Sequence, residues 1–198
     1  MIKIEAFFQE IDRLWEPTKP EKIIFRVIGS GALFLQTDYS RATKDSDVLE
    51  TLEVTSELKA RLTELAGKRT PLHKRTGLYL DIVISGLPFL PHGPRFHPQK
   101  KLNKSLRHFS IEALDVTDVV VSKLKRFNQN DADDVRAMID KNYVKHERLI
   151  ERFKAAVDGF SLDSRAEDLP HYVENLHRVE RDMFRVPQSD IDMPDWMD

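Results

Sequence analysis

The spacing of hydrophobic positions changes period along the first half of the chain, and each change marks an element. Ile4, Phe7, Phe8, Ile11 and Leu14 fall near helical spacing. They predict a helix over about residues 3–15, with Phe7, Phe8 and Trp15 as core, closed by Pro17 and Pro20. Residues 22–29 form an apolar run broken by one arginine, which reads as a buried strand. Gly29-Ser30-Gly31 then turns the chain, and Gly31 to Leu35 opens a short helix. The next strand is expected to carry Asp45 and Asp47. Thr55 or Ser56 caps a helix to about Ala66, in which Leu58, Leu62 and Leu65 repeat before Gly67 ends it. Residues 78–84 alternate as a third strand, with Leu78, Leu80, Ile82 and Ile84 on one side and Tyr79, Asp81 and Val83 on the other.

The proline-bearing piece from Leu87 to Pro98 reads as a long surface loop, followed by a strand-like segment around Phe109–Leu114. After it the pattern is helical, over about residues 117–127, 131–141, 145–158 and 167–183. No internal repeat is present. Strands alternating with helices, then a run of helices, predict an α+β fold: an α/β-like core with a mixed sheet and flanking helices, extended by a C-terminal helical bundle. The expected division is a core over residues 1–115 and a helical region over 116–198 packed on it.

Composition narrows the chemistry more than the architecture. A chain of 198 residues suits one core, or one core with a helical extension. With 40% hydrophobic and 32% charged residues it is expected to fold as a soluble protein. No apolar run approaches the roughly 20 residues that span a bilayer. Glu5 and Glu10 stand where a signal peptide would be basic, so a cytoplasmic protein with no membrane partner is expected. Cysteine is absent, which excludes disulfides, zinc ribbons and thiol nucleophiles. His73, His92, His97 and His108 lack helical metal-ligand spacing, so any metal must rest on carboxylates.

The net charge of −2 conceals an asymmetry. Arg95, Lys100, Lys101, Lys104 and Arg107 follow one another with no acid between them, whereas Asp190, Asp192, Asp195 and Asp198 crowd the last nine residues. The basic stretch either meets a phosphate backbone or is a solvated loop.

If the segment around Asp45-Ser46-Asp47 is extended, both carboxylates share one face and Ser46 takes the other. Two hard oxygen ligands can then hold magnesium or manganese, and the upstream glycine turn can set backbone N–H groups against a nucleotide's phosphates. The plainer alternatives are solvated turn acids after Thr43 and a simple strand-to-helix turn at Gly29–Gly31. Asp81, alone in an apolar strand, must be paired, metal-bound or facing a cleft; Arg26 is a candidate partner. Asp131 has the position of an N-cap, and Asp133 and Asp134 suit a first helical turn. Lys123 reads equally as a surface residue.

Taken together, the strand ending in Gly29-Ser30, the short helix, Asp45-Ser46-Asp47 and the later strand with Asp81 resemble the polymerase-beta-type nucleotidyltransferase superfamily. Val119-Val120-Val121-Ser122-Lys123-Leu124, followed by Asp131-Ala132-Asp133-Asp134-Val135, resembles its small bacterial branch that includes the abortive-infection type IV toxin nucleotidyltransferases. In that branch a lysine-leucine pair precedes an aspartate-x-x-aspartate-hydrophobic motif, onto which Asp131, Asp134 and Val135 fall. An arginine often precedes the first of those aspartates, where this chain has Asn130, with Lys125 or Arg126 as substitutes. The resemblance covers about residues 22–140.

It implies transfer of a nucleoside monophosphate from a nucleoside triphosphate to a hydroxyl, with magnesium or manganese. By the same resemblance, Asp45 and Asp47 hold the metal on the triphosphate, and Asp81 joins them around a second metal or acts as base. Gly29, Ser30 and Gly31 cradle phosphates, Lys123 supplies a fixed positive charge, and Asp131 and Asp134 complete the nucleotide site. A transfer RNA acceptor and an antitoxin or other protein partner, in a toxin–antitoxin or phage-defence setting, follow from the branch. The competing expectation is an inactive nucleotidyltransferase-like module that acts through a protein partner.

Overall fold

In the computed structural model the described residues are 3–17, 20–51, 54–160 and 164–193. Asp195 and Asp198 of the acidic end lie outside them. The chain divides into two compact units, Met1–Leu87 with Phe96–Leu114, and Pro88–Arg95 with Asp115–Asp198. Among the described residues no helix is long and apolar enough to cross a membrane.

The first unit is a mixed sheet with helices. Its elements are α1 (Lys3–Leu14), β1 (Ile23–Val27), α2 (Gly29–Gln36), β2 (Asp45–Leu49), α3 (Ser56–Ala66), α4 (Pro71–Thr76), β3 (Tyr79–Val83), β4 (Phe96–Pro98), α5 (Lys100–Asn103) and β5 (Phe109–Leu114). The five strands lie in the order β3-β2-β1-β5-β4. β1 runs parallel to β5 and antiparallel to β2, β2 runs parallel to β3, and β4 pairs antiparallel with β5.

Register sorts the side chains onto two faces. Phe25 and Val27, Val48, Leu80, and Ile111 and Ala113 lie on the apolar face and are buried. α1 adds Ile4, Phe7, Phe8 and Ile11 to this core. Phe25 stacks on Phe109 with ring centres 4.5 Å apart, and Trp15 meets Phe109 edge-on at 5.5 Å. The buried Asp12 of α1 accepts hydrogen bonds from the backbone N–H groups of Arg107, His108 and Phe109, which ties the start of β5 to the helix. The other face carries Arg26, Asp45, Asp47, Tyr79, Asp81 and Glu112, all half-buried or exposed.

The second unit comprises α6 (Val116–Leu124), α7 (Gln129–Asp140), α8 (His146–Phe160), a 3-10 turn (Ser164–Asp168), α9 (Leu169–Val179) and a π-helical turn (Glu180–Phe184). The expected surface loop over Leu87–Pro98 is corrected here. Phe89 is fully buried in this unit, against Phe153, Phe160 and Tyr172 at 5.4, 5.2 and 5.0 Å. Asp118 and Arg152 form a buried two-pronged pair at 2.6 and 2.8 Å. The same pair fastens the segment, because Arg152 also donates to Gly93 O and Asp118 accepts from Arg95 N–H. The stretch ends in strand β4, which pairs with β5.

Candidate active site

Three features of the first unit converge on Asp47. β1 runs on for one residue past its last paired position, and the N–H of Ile28 donates to Asp47 O at 2.9 Å. The chain then turns through Gly29 at φ +61°. A Cβ at Gly29 would lie 2.6 Å from Asp47 Oδ2, so the carboxylate occupies the space that any side chain there would need. α2 starts at this point with Ile28 as its N-cap and no side-chain capping bond, which aims the positive end of the helix at the carboxylate's neighbourhood.

Asp45 and Asp47 share a face of β2, as period two demands, while Ser46 between them is fully buried. Asp81 stands beside Asp47 in the parallel register of β2 and β3 and is exposed. It therefore faces the open side of the sheet. Arg26, the candidate partner for Asp81, instead binds Glu112 at 3.4 Å and lies over the Phe96 ring at 5.2 Å.

Gly31 serves packing. A Cβ there would come within 2.9 Å of Ile4 Cδ1 and 3.3 Å of Val27 Cγ1, so its bareness lets α2 settle onto α1 and β1. Two residues outside the expected site set, Arg41 and Thr43, hold the site's polar groups. The Arg41 guanidinium donates from Nη2 to Ser30 Oγ at 2.8 Å, and the Thr43 hydroxyl donates to Asp45 Oδ1 at 2.8 Å. The segment Arg41-Ala42-Thr43-Lys44-Asp45 held the signal, since a hydroxyl two residues before an acid can bond it locally.

Lys123, Asp131 and Asp134 come together in the second unit. Lys123 Nζ is 3.0 Å from Asp131 Oδ1 and 2.8 Å from Asp134 Oδ2, and all three side chains are buried. Lys123 is thus no surface residue, and two carboxylates already balance its charge. Arg126 Nε reaches Asp131 Oδ2 at 3.1 Å, so an arginine meets this aspartate from five residues upstream although Asn130 precedes it. The cap of α7 is Asn128, whose side chain accepts from the Asp131 N–H at 3.0 Å; Asp131 itself sits inside the first turn. Asp45, Asp47 and Asp81 belong to the first unit, and Lys123, Asp131 and Asp134 to the second.

The donor chemistry fits a hard divalent ion. Magnesium is commonly held by one or two carboxylates together with substrate phosphates, rather than by an all-protein cage. Asp45 and Asp47 offer oxygen donors of that kind on one face. Among the described residues no group of three or more His, Asp or Glu side chains is placed to hold a metal by itself.

Comparisons with known proteins bear on the whole of this arrangement. Neither the curated proteins nor the solved structures gave a match. A family model does match, over residues 3–181, which takes in both the glycine turn with its aspartates and the lysine–aspartate cluster. The chain belongs to that family, described as nucleotidyltransferase of unknown function (DUF6036).

Proposed function

We propose that this protein is a metal-dependent nucleotidyltransferase that moves a nucleoside monophosphate from its triphosphate to a hydroxyl. The observation that carries the reading is the seat of Asp47 against Gly29 at the start of α2, with Asp45 on the same face. Carboxylates for a cation and a helix start for phosphate oxygens are thereby adjacent.

In this reading Asp45 and Asp47 hold magnesium or manganese, with Thr43 fixing the orientation of Asp45. The ion, when bound, supplies charge neutralisation at the phosphate oxygens. The N–H groups at Gly29, Ser30 and Gly31 receive the terminal phosphates. The acceptor's hydroxyl oxygen attacks the α-phosphorus, the bond to the bridging oxygen breaks, and pyrophosphate leaves with that electron pair. Asp81, facing the open side of the sheet, takes the hydroxyl proton. The resemblance alone assigns Lys123, Asp131 and Asp134 to the nucleotide; within the second unit they form one buried charge cluster.

RNA is the acceptor we propose, a transfer RNA end by resemblance, because Lys100, Lys101, Lys104 and Arg107 are all exposed. A defence or toxin–antitoxin setting with a protein partner rests on the motif resemblance alone. A second reading, an inactive module that docks a partner, draws on the neutralised Lys123.

Calorimetric titration with each nucleoside triphosphate, with and without magnesium, tests the proposal. Wild type should bind one or more of them only with magnesium, and Asp45→Asn should weaken that binding at least about tenfold, a difference of ~1.4 kcal/mol, with an unchanged circular dichroism spectrum. No binding by wild type would favour the docking module.

A further inference from the structure

The open face of the first unit's sheet carries polar chemistry on both sides of β1. Toward β3 lie the carboxylates of Asp47 and Asp81, side by side in register. Toward β4 lie Glu112, in register with Arg26, and Phe96, which pairs with Leu114 two residues beyond Glu112 and so shares its face. Arg26 stands between the two groups. It is directly opposite Leu49, which makes Asp47 its diagonal neighbour on the same face, with Cα atoms ~7–8 Å apart.

Two contacts hold the Arg26 side chain. Its Nε donates to Glu112 Oε2 at 3.4 Å, and its guanidinium carbon lies over the Phe96 ring, 5.2 Å from the centre. The side chain is nevertheless 44% exposed. A guanidinium plane is a surface on which an unpaired base stacks, and an aromatic ring behind it keeps the plane in place. Glu112 already balances the arginine's charge, which leaves it better suited to stack on a base than to capture a phosphate.

β4 runs directly into α5, where Lys100 and Lys101 are exposed, as are Lys104 and Arg107 after it. The first unit thus offers cations, then a stacking surface, then carboxylates. A single strand laid in that order has its phosphates at the lysines, its last base on Arg26 and its terminal hydroxyl toward Asp81. β1 and β3 are two strand spacings apart, ~9–10 Å, which one nucleotide and the two side chains span. Resting on the transferase reading with an RNA acceptor, we propose that Arg26, backed by Phe96, is the stacking site for the terminal base of the acceptor strand. The ligand class is the 3′ end of a single-stranded RNA. Stacking needs only a π-face, so the site accepts any of the four bases. Arg26 and Phe96 are binding residues in this assignment and Glu112 is a positioning residue.

Fluorescence anisotropy of the full chain with a short single-stranded RNA tests this. The same strand is compared in a form whose last nucleotide keeps its sugar, phosphate and hydroxyl but lacks the base. Wild type should bind the intact strand at least about fivefold more tightly than the abasic one. Arg26→Ala should bring the two affinities together, and Phe96→Leu should reduce the difference in part. Arg26→Lys, which keeps the charge without the plane, should behave as Arg26→Ala does. Glu112→Gln should narrow the difference while strengthening the binding of both strands, because an acid is removed from their path. Melting temperature checks the folding of each variant. Arg26→Ala that weakens both strands equally would make Arg26 a phosphate contact and overturn the assignment, as would a wild type that binds the two strands alike or binds neither.

The two proposals fail separately. Magnesium-dependent triphosphate binding that is lost in Asp45→Asn, beside RNA binding indifferent to the terminal base, would sink this inference and leave the transferase standing. A preference for the intact strand that vanishes in Arg26→Ala, with no triphosphate binding by wild type, would do the reverse.

Discussion

Gly29 meets two demands at once, a left-handed backbone and the absence of a Cβ where Asp47 Oδ2 sits 2.6 Å away. Gly29→Ala should therefore cost about 1–2 kcal/mol for the backbone alone and also push the Asp47 carboxylate aside. The expected outcome is a lower melting temperature together with weakened magnesium-dependent nucleotide binding. A variant that melts lower but binds as before would detach Gly29 from the site. At this scale the shared face of Asp45 and Asp47 was legible, because strand alternation is a local property of the chain. The engagement of Lys123 was not: its partners Asp131 and Asp134 lie on the next helix, and only the packing of α6 on α7 brings the charges within 3.0 Å.

Among elements, the longer ones announced themselves. α3 lies between Thr55, which caps the Leu58 N–H, and Gly67, as its caps foretold. The short elements escaped a reading by period. α4 has only six residues, although Thr70 as cap, Pro71 in the first turn and Gly77 in the left-handed region were local signals for it. β4 is three residues long and pairs with β5.

The end of α9 carries a prediction of its own. Glu180, in the π-helical turn, is buried, and that burial is the largest single influence on its carboxyl and pushes its pKa up. Hydrogen bonds from Ser189 Oγ, His146 and the Ser189 N–H together outweigh it, so the carboxyl stays below its ordinary 4.5. A folded-state value held below the unfolded one gives stability that is present above the unfolded value and lost as pH falls through the folded value. Urea midpoints followed from neutral pH downward should fall for wild type below that range, and more gently for Glu180→Gln. Parallel curves would show that this carboxylate does not govern the acid limb.

For the whole molecule, the family match spans both units, while the charge that would meet an RNA is confined to one stretch. Changing Lys100, Lys101 and Lys104 to glutamine should weaken RNA binding and reduce its salt slope by about two, if each contacts a phosphate of a single strand. A filter-binding series over salt concentration reads this, and an unchanged slope would move the acceptor elsewhere.

The sequence by itself determined the alternation that puts two aspartates on one face, the glycine turn before them, the period of the long helices and the absence of thiol chemistry, since each depends on near neighbours in the chain. Tertiary structure alone decided that Phe89 is core rather than surface, that Arg26 belongs to Glu112 and not to Asp81, that Lys123 is held by two carboxylates, and that Arg41 returns to Ser30. These are contacts between residues remote along the chain or on separate elements, and their free energy comes from packing and desolvation that no local pattern records.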